Sequence, residues 1–251
     1  MRDRRDHVVV RRRVCFEIGV RMIIEVLAKA RRDDERGDDH LAHVADLYMC
    51  DRQTWYRRSG FDKIPFDDAK RRKFDIGHAV EARIILQLRS FGLEVLNDEL
   101  VGMWIDNSGA VVGGRLVNAN EVGAPVVIGH PDAYIPYEDV LLEIKTTDVR
   151  KLNETVSMHY ALQAAAYAVA RGASRAIVHV THVVPFEKPE AEYEINVAGL
   201  RPRVEQRVRE VLTRTDPEAT IPAAVPEVES AAWACKYCAY REQCDFDGGP
   251  E

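Results

Sequence analysis

The sequence predicts an α+β fold, the segregated kind of α/β protein, and three observations carry that expectation. Between Leu93 and Thr147, short runs rich in Val, Ile and Leu are separated by turn signals such as DNSG and a glycine pair, the pattern of an antiparallel meander. On either side of this stretch, apolar residues recur at helical spacing. At 251 residues, 46% hydrophobic and 30% charged, the chain has the length and composition of one large globular domain, or one domain with a small appendage.

Taken in order, residues 14–31 carry Ile18, Met22, Ile23, Val26 and Leu27 at helical spacing, and RRDDERGDD reads as an exposed loop. A second helix is expected from about His40 to Arg58, with Leu41, Val44, Leu47 and Tyr48 facing inward and Cys50, Trp55 and Tyr56 on the same element. Asp75 is placed to cap a third helix, IGHAVEARIILQLRSFG, ended by Gly92, with His78 in its first turn. The strand-like runs follow: LEVLNDEL, GMWID, AVVGGRLV, APVVIGH, DAYI and VLLEIKTT. A helix from about Ser157 to Arg171, ended by Gly172, carries Gln163 and Tyr167 four apart and so on one face. SRAIVHVTHVV (174–184) and AEYEINV (191–197) read as strands, and GLRPRVEQRVREVLTR (199–214) as an amphipathic helix. Proline-rich DPEATIPAAVPEVES lacks an apolar period and suits a surface linker leading to AAWACKYCAYREQCDF.

A net charge of −6 argues against a protein that coats nucleic acid without specificity. Local stripes matter more than totals, however. One lies between Arg2 and Arg13; another comprises Arg52, Arg57, Arg58, Lys70, Arg71, Arg72 and Lys73. No apolar run approaches the roughly 20 residues that span a bilayer, and MRDRRDHVVVRRRVCF lacks the apolar core of a secretion signal. The expected location is the cytoplasm, with no membrane partner.

The chemistry concentrates in GHPDAYIPYEDVLLEIKTT, Gly129 to Thr147. Strand alternation puts Glu143 and Lys145 on one face and Leu142 and Ile144 on the other. PYED has turn composition, so DAYI and VLLEIKTT form a hairpin that brings Asp132 beside Glu143. Two hard carboxylates with a lysine suit an oxygen-loving divalent ion and a water poised to attack phosphate. The plain alternative is a solvent-facing row of alternating charges.

Five cysteines are an odd number, against a disulfide framework. Cys235-x2-Cys238-x5-Cys244 has metal-binding spacing, with Cys50, Cys15 or a histidine as the fourth ligand and either zinc or an iron–sulfur cluster as the centre.

Six stretches in order resemble the RecB-like branch of the PD-(D/E)xK nuclease superfamily, within it the iron–sulfur exonucleases associated with CRISPR systems and some phages. They are DLYMCDRQTWYRRSG, GHAVEARI, GHPDAYI, LLEIKTT, QAAAY and CKYCAYREQC, spanning roughly residues 41–246. The resemblance implies a restriction-endonuclease-like core, a central mixed sheet flanked by helices, over 75–214. It implies an iron–sulfur region from 41–74 and 215–251, in which Cys50, Cys235, Cys238 and Cys244 hold a [4Fe–4S] cluster, and leaves 1–40 and Cys15 without a counterpart. His78, Asp132, Glu143 and the Ile144 carbonyl would bind Mg²⁺ or Mn²⁺. Lys145 would orient or help deprotonate the attacking water, with Gln163 and Tyr167 beside the site.

The activity so implied is hydrolysis of single-stranded DNA from an end. Trp55 and Tyr56 among Arg52, Arg57 and Arg58 offer the mixed aromatic and basic surface that unstacked bases favour, against the alternative that both aromatics pack the core. Two other functions compete: a DNA-end processing or binding partner in CRISPR adaptation or phage recombination, with endonuclease or weak nuclease activity, and a zinc-stabilised structural module.

Overall fold

Eight strands in two four-stranded sheets, with five α-helices, are formed by the residues that the computed structural model describes: 40–65, 67–122, 125–147, 155–182, 190–224, 235 and 237–248. The expected helix at 14–31, the arginines between Arg2 and Arg13, and Cys15 lie outside the described residues. The first sheet has the order β1 (Ala42–His43), β4 (Val126–Gly129), β2 (Leu100–Ile105), β3 (Val111–Leu116). The second runs β5 (Ala133–Ile135), β6 (Val140–Thr147), β7 (Arg175–His182), β8 (Ala191–Ile195). Each contains one parallel pair, β1 with β4 and β6 with β7, so both are mixed and the fold is α+β. Among the described residues no helix is long and apolar enough to cross a membrane.

The parallel β6–β7 pair needs a crossover, and α3 (Met158–Arg171) lies within it. This helix sits in the main core, against Val101, Met103, Val111 and Val127 of the first sheet and Leu141, Ala176, Val178 and Val180 of the second. Its alanines make that position possible, because small side chains bring the helix backbone close to both sheets. At Gly113 an added Cβ would collide with the carbonyl oxygen of Val169. From Ala161 to Ala170 only Gln163 escapes full burial.

The other face of β6 is covered by α2 (Asp68–Ser90). Its Ile84 and Ile85 pack with Val95, Ala133, Ile135, Leu142 and Ile144. Thus β6 alternates between two cores, Leu141 toward α3 and Leu142 and Ile144 toward α2. Each such fully buried aliphatic side chain contributes on the order of 1.5–3 kcal/mol.

Several boundaries differ from those expected. Residues 40–50 are not helical: β1 pairs with β4, Val44–Leu47 make a 3-10 turn, and α1 spans only Asp51–Arg58. The apolar spacing there satisfies a strand and a turn docked on the core equally well. Helix α2 begins before Asp75, because Asp67 caps it by accepting the Lys70 N–H at 2.8 Å. Its first turns carry no apolar stripe against the core, so periodicity could not mark them. Gly92 does follow its end, with φ +85. LEVLNDEL is not a strand: Leu96 alone bridges Tyr134, and Asp98 breaks the run with φ 63. The meander divides at His130–Pro131, after which β5 pairs with β6 and not with β4.

Candidate active site

The hairpin between β5 and β6 sets the geometry. Its link is a 3-10 turn, Pro136–Glu138, closed by Asp139 in the left-handed region, φ 49. The Tyr134 hydroxyl donates to Asp139 across it at 2.9 Å. With Ala133 opposite Leu142, Asp132 falls beside Glu143, and its Oδ2 accepts the Ile144 N–H at 2.7 Å. Glu143 is fully buried and accepts from the Lys145 ammonium through Oε1. Its Oε2 is buried with no hydrogen-bond partner.

An unpartnered buried carboxylate oxygen costs roughly 1–3 kcal/mol or more, so its place beside a second carboxylate calls for a cationic partner. Glu81, on α2 three residues after His78, enters the same electrostatic set. Burial raises its carboxyl to about 7, with the Asp132 charge adding to the rise. Burial and then Asp132 raise Glu143 to about 8, Lys145 and its hydrogen bond opposing and Glu81 adding. Burial likewise raises Asp132, against Lys145, the Ile144 N–H and His78. For Lys145, burial alone would lower the pKa, but Glu143 and Asp132 outweigh it and hold the ammonium charged. His78 itself is exposed. In the sequence, Glu81 carries one signal, its spacing of three from His78 on one helix.

Among the described residues no group of three or more His, Cys, Asp or Glu is arranged to hold a metal ion as it stands. The donor chemistry nonetheless fits a hard divalent cation. Three carboxylates lie within mutual electrostatic reach against one ammonium, with the bare Oε2 of Glu143 among them.

A pH dependence follows. Glu143 binds its proton more tightly folded than unfolded, so between about pH 4.5 and 8 the native state holds the extra proton and stability falls as pH rises. Glu143→Gln mimics the neutral acid. Treated with chelator, this variant is expected to melt several degrees above wild type at pH 9 and alike near pH 4.5. Identical melting curves at pH 9 would remove the buried-charge penalty.

Helix α3 presents one face to this cluster. The Lys145 ammonium lies 5.4 Å from the centre of the Tyr160 ring. Burial, then the Lys145 charge, lowers the pKa of His159. Gln163 follows one turn on, and Tyr167 reaches Gly129, where an added Cβ would come within 2.7 Å of the tyrosine ring. On β7, His182 pairs in register with Thr147, is 2% exposed, and has neither ring nitrogen hydrogen-bonded. Tyr160, His159 and His182 add to the residues expected from the sequence; for Tyr160 the signal was its spacing of three from Gln163.

The four cysteines meet elsewhere. Burial first, and then the nearby Cys235 and Cys244, raise the Cys50 thiol. Cys238 is raised by burial and by the other three. Cys238 and Cys244 pack on a cluster of Trp55, Tyr56 and Tyr240. Four thiols within one another's field, one from the start of α1 and three from the tail, have the soft donor chemistry of a zinc or iron–sulfur centre.

The residues expected on a DNA-facing surface around α1 serve this junction instead. Trp55 is buried and donates its indole N–H to the Ala219 carbonyl at 3.2 Å. Tyr56 is fully buried, its hydroxyl on Asp247 at 2.7 Å. Arg52 bonds the carbonyls of Pro222 (2.7 Å) and Asp247 (3.3 Å) and approaches the Cys244 sulfur at 3.8 Å. Arg57 binds Leu41 O and Asp46, and Arg58 binds His40 O and the Thr215 hydroxyl. Their guanidinium groups satisfy backbone carbonyls that loop packing would otherwise leave bare.

No family model and no curated protein matches the chain. Among solved structures, the crystal structure of SSO0001 is similar in fold, at TM-score 0.50 and 18% identity, over 87% of this chain and 94% of that one. At that identity the likeness concerns the fold, and function rests on the site.

Proposed function

We propose that this protein is a metal-dependent deoxyribonuclease with a restriction-endonuclease-like core, degrading single-stranded DNA from an end and stabilised by a [4Fe–4S] cluster. The observation that carries the reading is the buried, unpartnered Oε2 of Glu143, with Asp132 and Lys145 against it. Asp132, Glu143 and Glu81 would hold Mg²⁺ or Mn²⁺, with His78 and the Ile144 carbonyl as further ligands. When bound, the cation supplies a more acidic water and neutralises charge on the scissile phosphate.

The chain's own groups do the rest. Glu143 and Asp132 keep Lys145 protonated, so a fixed positive charge stands where negative charge develops on phosphate. The Lys145 N–H groups not used by Glu143 can orient the attacking water. Tyr160, whose ring lies by the Lys145 ammonium, and Gln163, three residues on along α3, would bind the phosphodiester backbone, while Tyr167 packs on the turn before Asp132. Cys50, Cys235, Cys238 and Cys244 would hold the cluster, structural in role because it involves none of the residues that act on phosphate.

The test is anaerobic purification with iron and sulfide assays, followed by end-labelled linear single strands, circular single strands and blunt duplex with Mg²⁺ or Mn²⁺. Label should leave the linear single strand fastest and stay on it in EDTA. Rapid cutting of the circle would overturn the exonuclease assignment, and inertness toward every substrate would overturn the nuclease.

A further inference from the structure

Helix α2 packs on β6 through only part of its length. Its 23 residues extend about 34 Å. At 3.6 residues per turn, Lys70, Lys73, Phe74, Gly77, Glu81 and Ile84 share one face. Toward the C-terminal end this face is the core contact, where Ile84 is buried under β6. At mid-helix Gly77 lies over β6, an added Cβ coming 3.6 Å from the Thr146 hydroxyl, and Glu81 joins the carboxylates. Beyond that point the same face continues with Lys73 and Phe74 exposed and Lys70 half-buried, and it is basic and aromatic where an amphipathic helix is ordinarily apolar.

Phe74 is 52% exposed. Tyr237, from the tail between Cys235 and Cys238, is 54% exposed and holds its ring 5.3 Å from the Lys70 ammonium. The Ile64 N–H on the Ala239 carbonyl, 2.9 Å, ties the tail beside the start of the helix. Asp68 and Asp75 fall on the opposite side of α2, so the row facing the site is cationic.

We propose that this face of α2 is the approach track for single-stranded DNA, Lys70 and Lys73 meeting phosphates while Phe74 and Tyr237 stack bases. The proposal rests on the nuclease reading above and names its substrate-binding surface. Charge complementarity and continuity with the site identify the occupant. Two cations, Lys70 and Lys73, share this face on a chain of net charge −6, and from Lys70 to Glu81 the helix advances only about 16 Å, a few nucleotides. Merely solvated charge would account for the lysines. It would not account for two large aromatic rings half exposed beside them, which suit a sequence-tolerant stacking platform.

The test is anisotropy of a dye-labelled oligothymidylate in EDTA, where cleavage is suppressed, across a salt series with the full, cluster-loaded protein. Lys70→Ala with Lys73→Ala should lower the log–log salt slope by about 1.4. Phe74→Ala and Tyr237→Ala should each weaken binding at least about 5-fold while leaving that slope unchanged. Arg201→Ala, on α4 (Val197–Arg214), should do neither. All these residues are exposed or half-exposed, so melting temperature and cluster absorbance should match wild type.

Wild-type binding in all the variants, from a protein that still cleaves DNA, would overturn the track and leave the nuclease reading standing. A wild type that neither binds nor cuts DNA would overturn both. Equal losses on a blunt duplex would overturn the single-strand assignment.

Discussion

Asp132→Ala is expected to leave no detectable cleavage, and Lys145→Ala to slow cleavage by about 10²–10³-fold, with the fold retained in both. The two losses have different origins. Asp132 is one of the carboxylates proposed to hold the cation, and its removal takes away half of a closely coupled pair. Lys145 is the ammonium in that carboxylate set, and its charge is proposed to act on the transition state. Asp132 also accepts the Ile144 N–H, so alanine leaves a buried donor bare. Asp132→Asn keeps an acceptor there and separates that structural cost from the chemistry. Single-turnover rates at saturating Mn²⁺, with melting temperatures alongside, make the comparison. If Asp132→Asn and Lys145→Ala both cut at the wild-type rate, the chemistry lies elsewhere in the molecule.

Cys238→Ala is expected to lose the brown colour of an iron–sulfur protein and to lower the melting temperature by on the order of 10 °C. A centre joining Cys50 to Cys235 closes a loop with 184 residues between its ends, which restricts the unfolded chain strongly. Metal-binding energy in such a site is also folding energy. What it would hold together is visible in the bonds around α1: Arg52 to Pro222 and Asp247, Tyr56 to Asp247, and Trp55 to Ala219. Each is a single hydrogen bond, worth about 1 kcal/mol, between segments more than 160 residues apart. Metal analysis and thermal melting of wild type and variant check this. A colourless wild type with one zinc and no iron would overturn the cluster assignment while leaving the staple intact.

The sequence alone determined whatever depends on near neighbours. Alternation along VLLEIKTT put Glu143 and Lys145 on one face, and PYED made the turn that returns Asp132 to Glu143. Both are properties of a few consecutive residues, and both hold in the β5–β6 hairpin. Gly92 and Gly172, with φ +85 and +81, mark helix ends because few other residues tolerate that backbone. The spacing Cys235-x2-Cys238-x5-Cys244 is legible in the same local way.

Only the tertiary structure decided what each surface faces. Glu81 has the sequence context of an ordinary helical glutamate, and it joins the carboxylates because α2 crosses β6 one turn before its isoleucines dock. Trp55, Tyr56 and the α1 arginines have the composition of a nucleic-acid surface. Trp55, Tyr56 and Arg52 are packing groups because Ala219, Pro222 and Asp247 arrive beside them from far along the chain, while Arg57 bonds Leu41 and Asp46 close by. The early turns of α2 carry no apolar stripe, and none of residues 68–77 is buried. Composition and period record what a segment can bury or bond, whereas the partner it meets is set by contacts between distant parts of the chain.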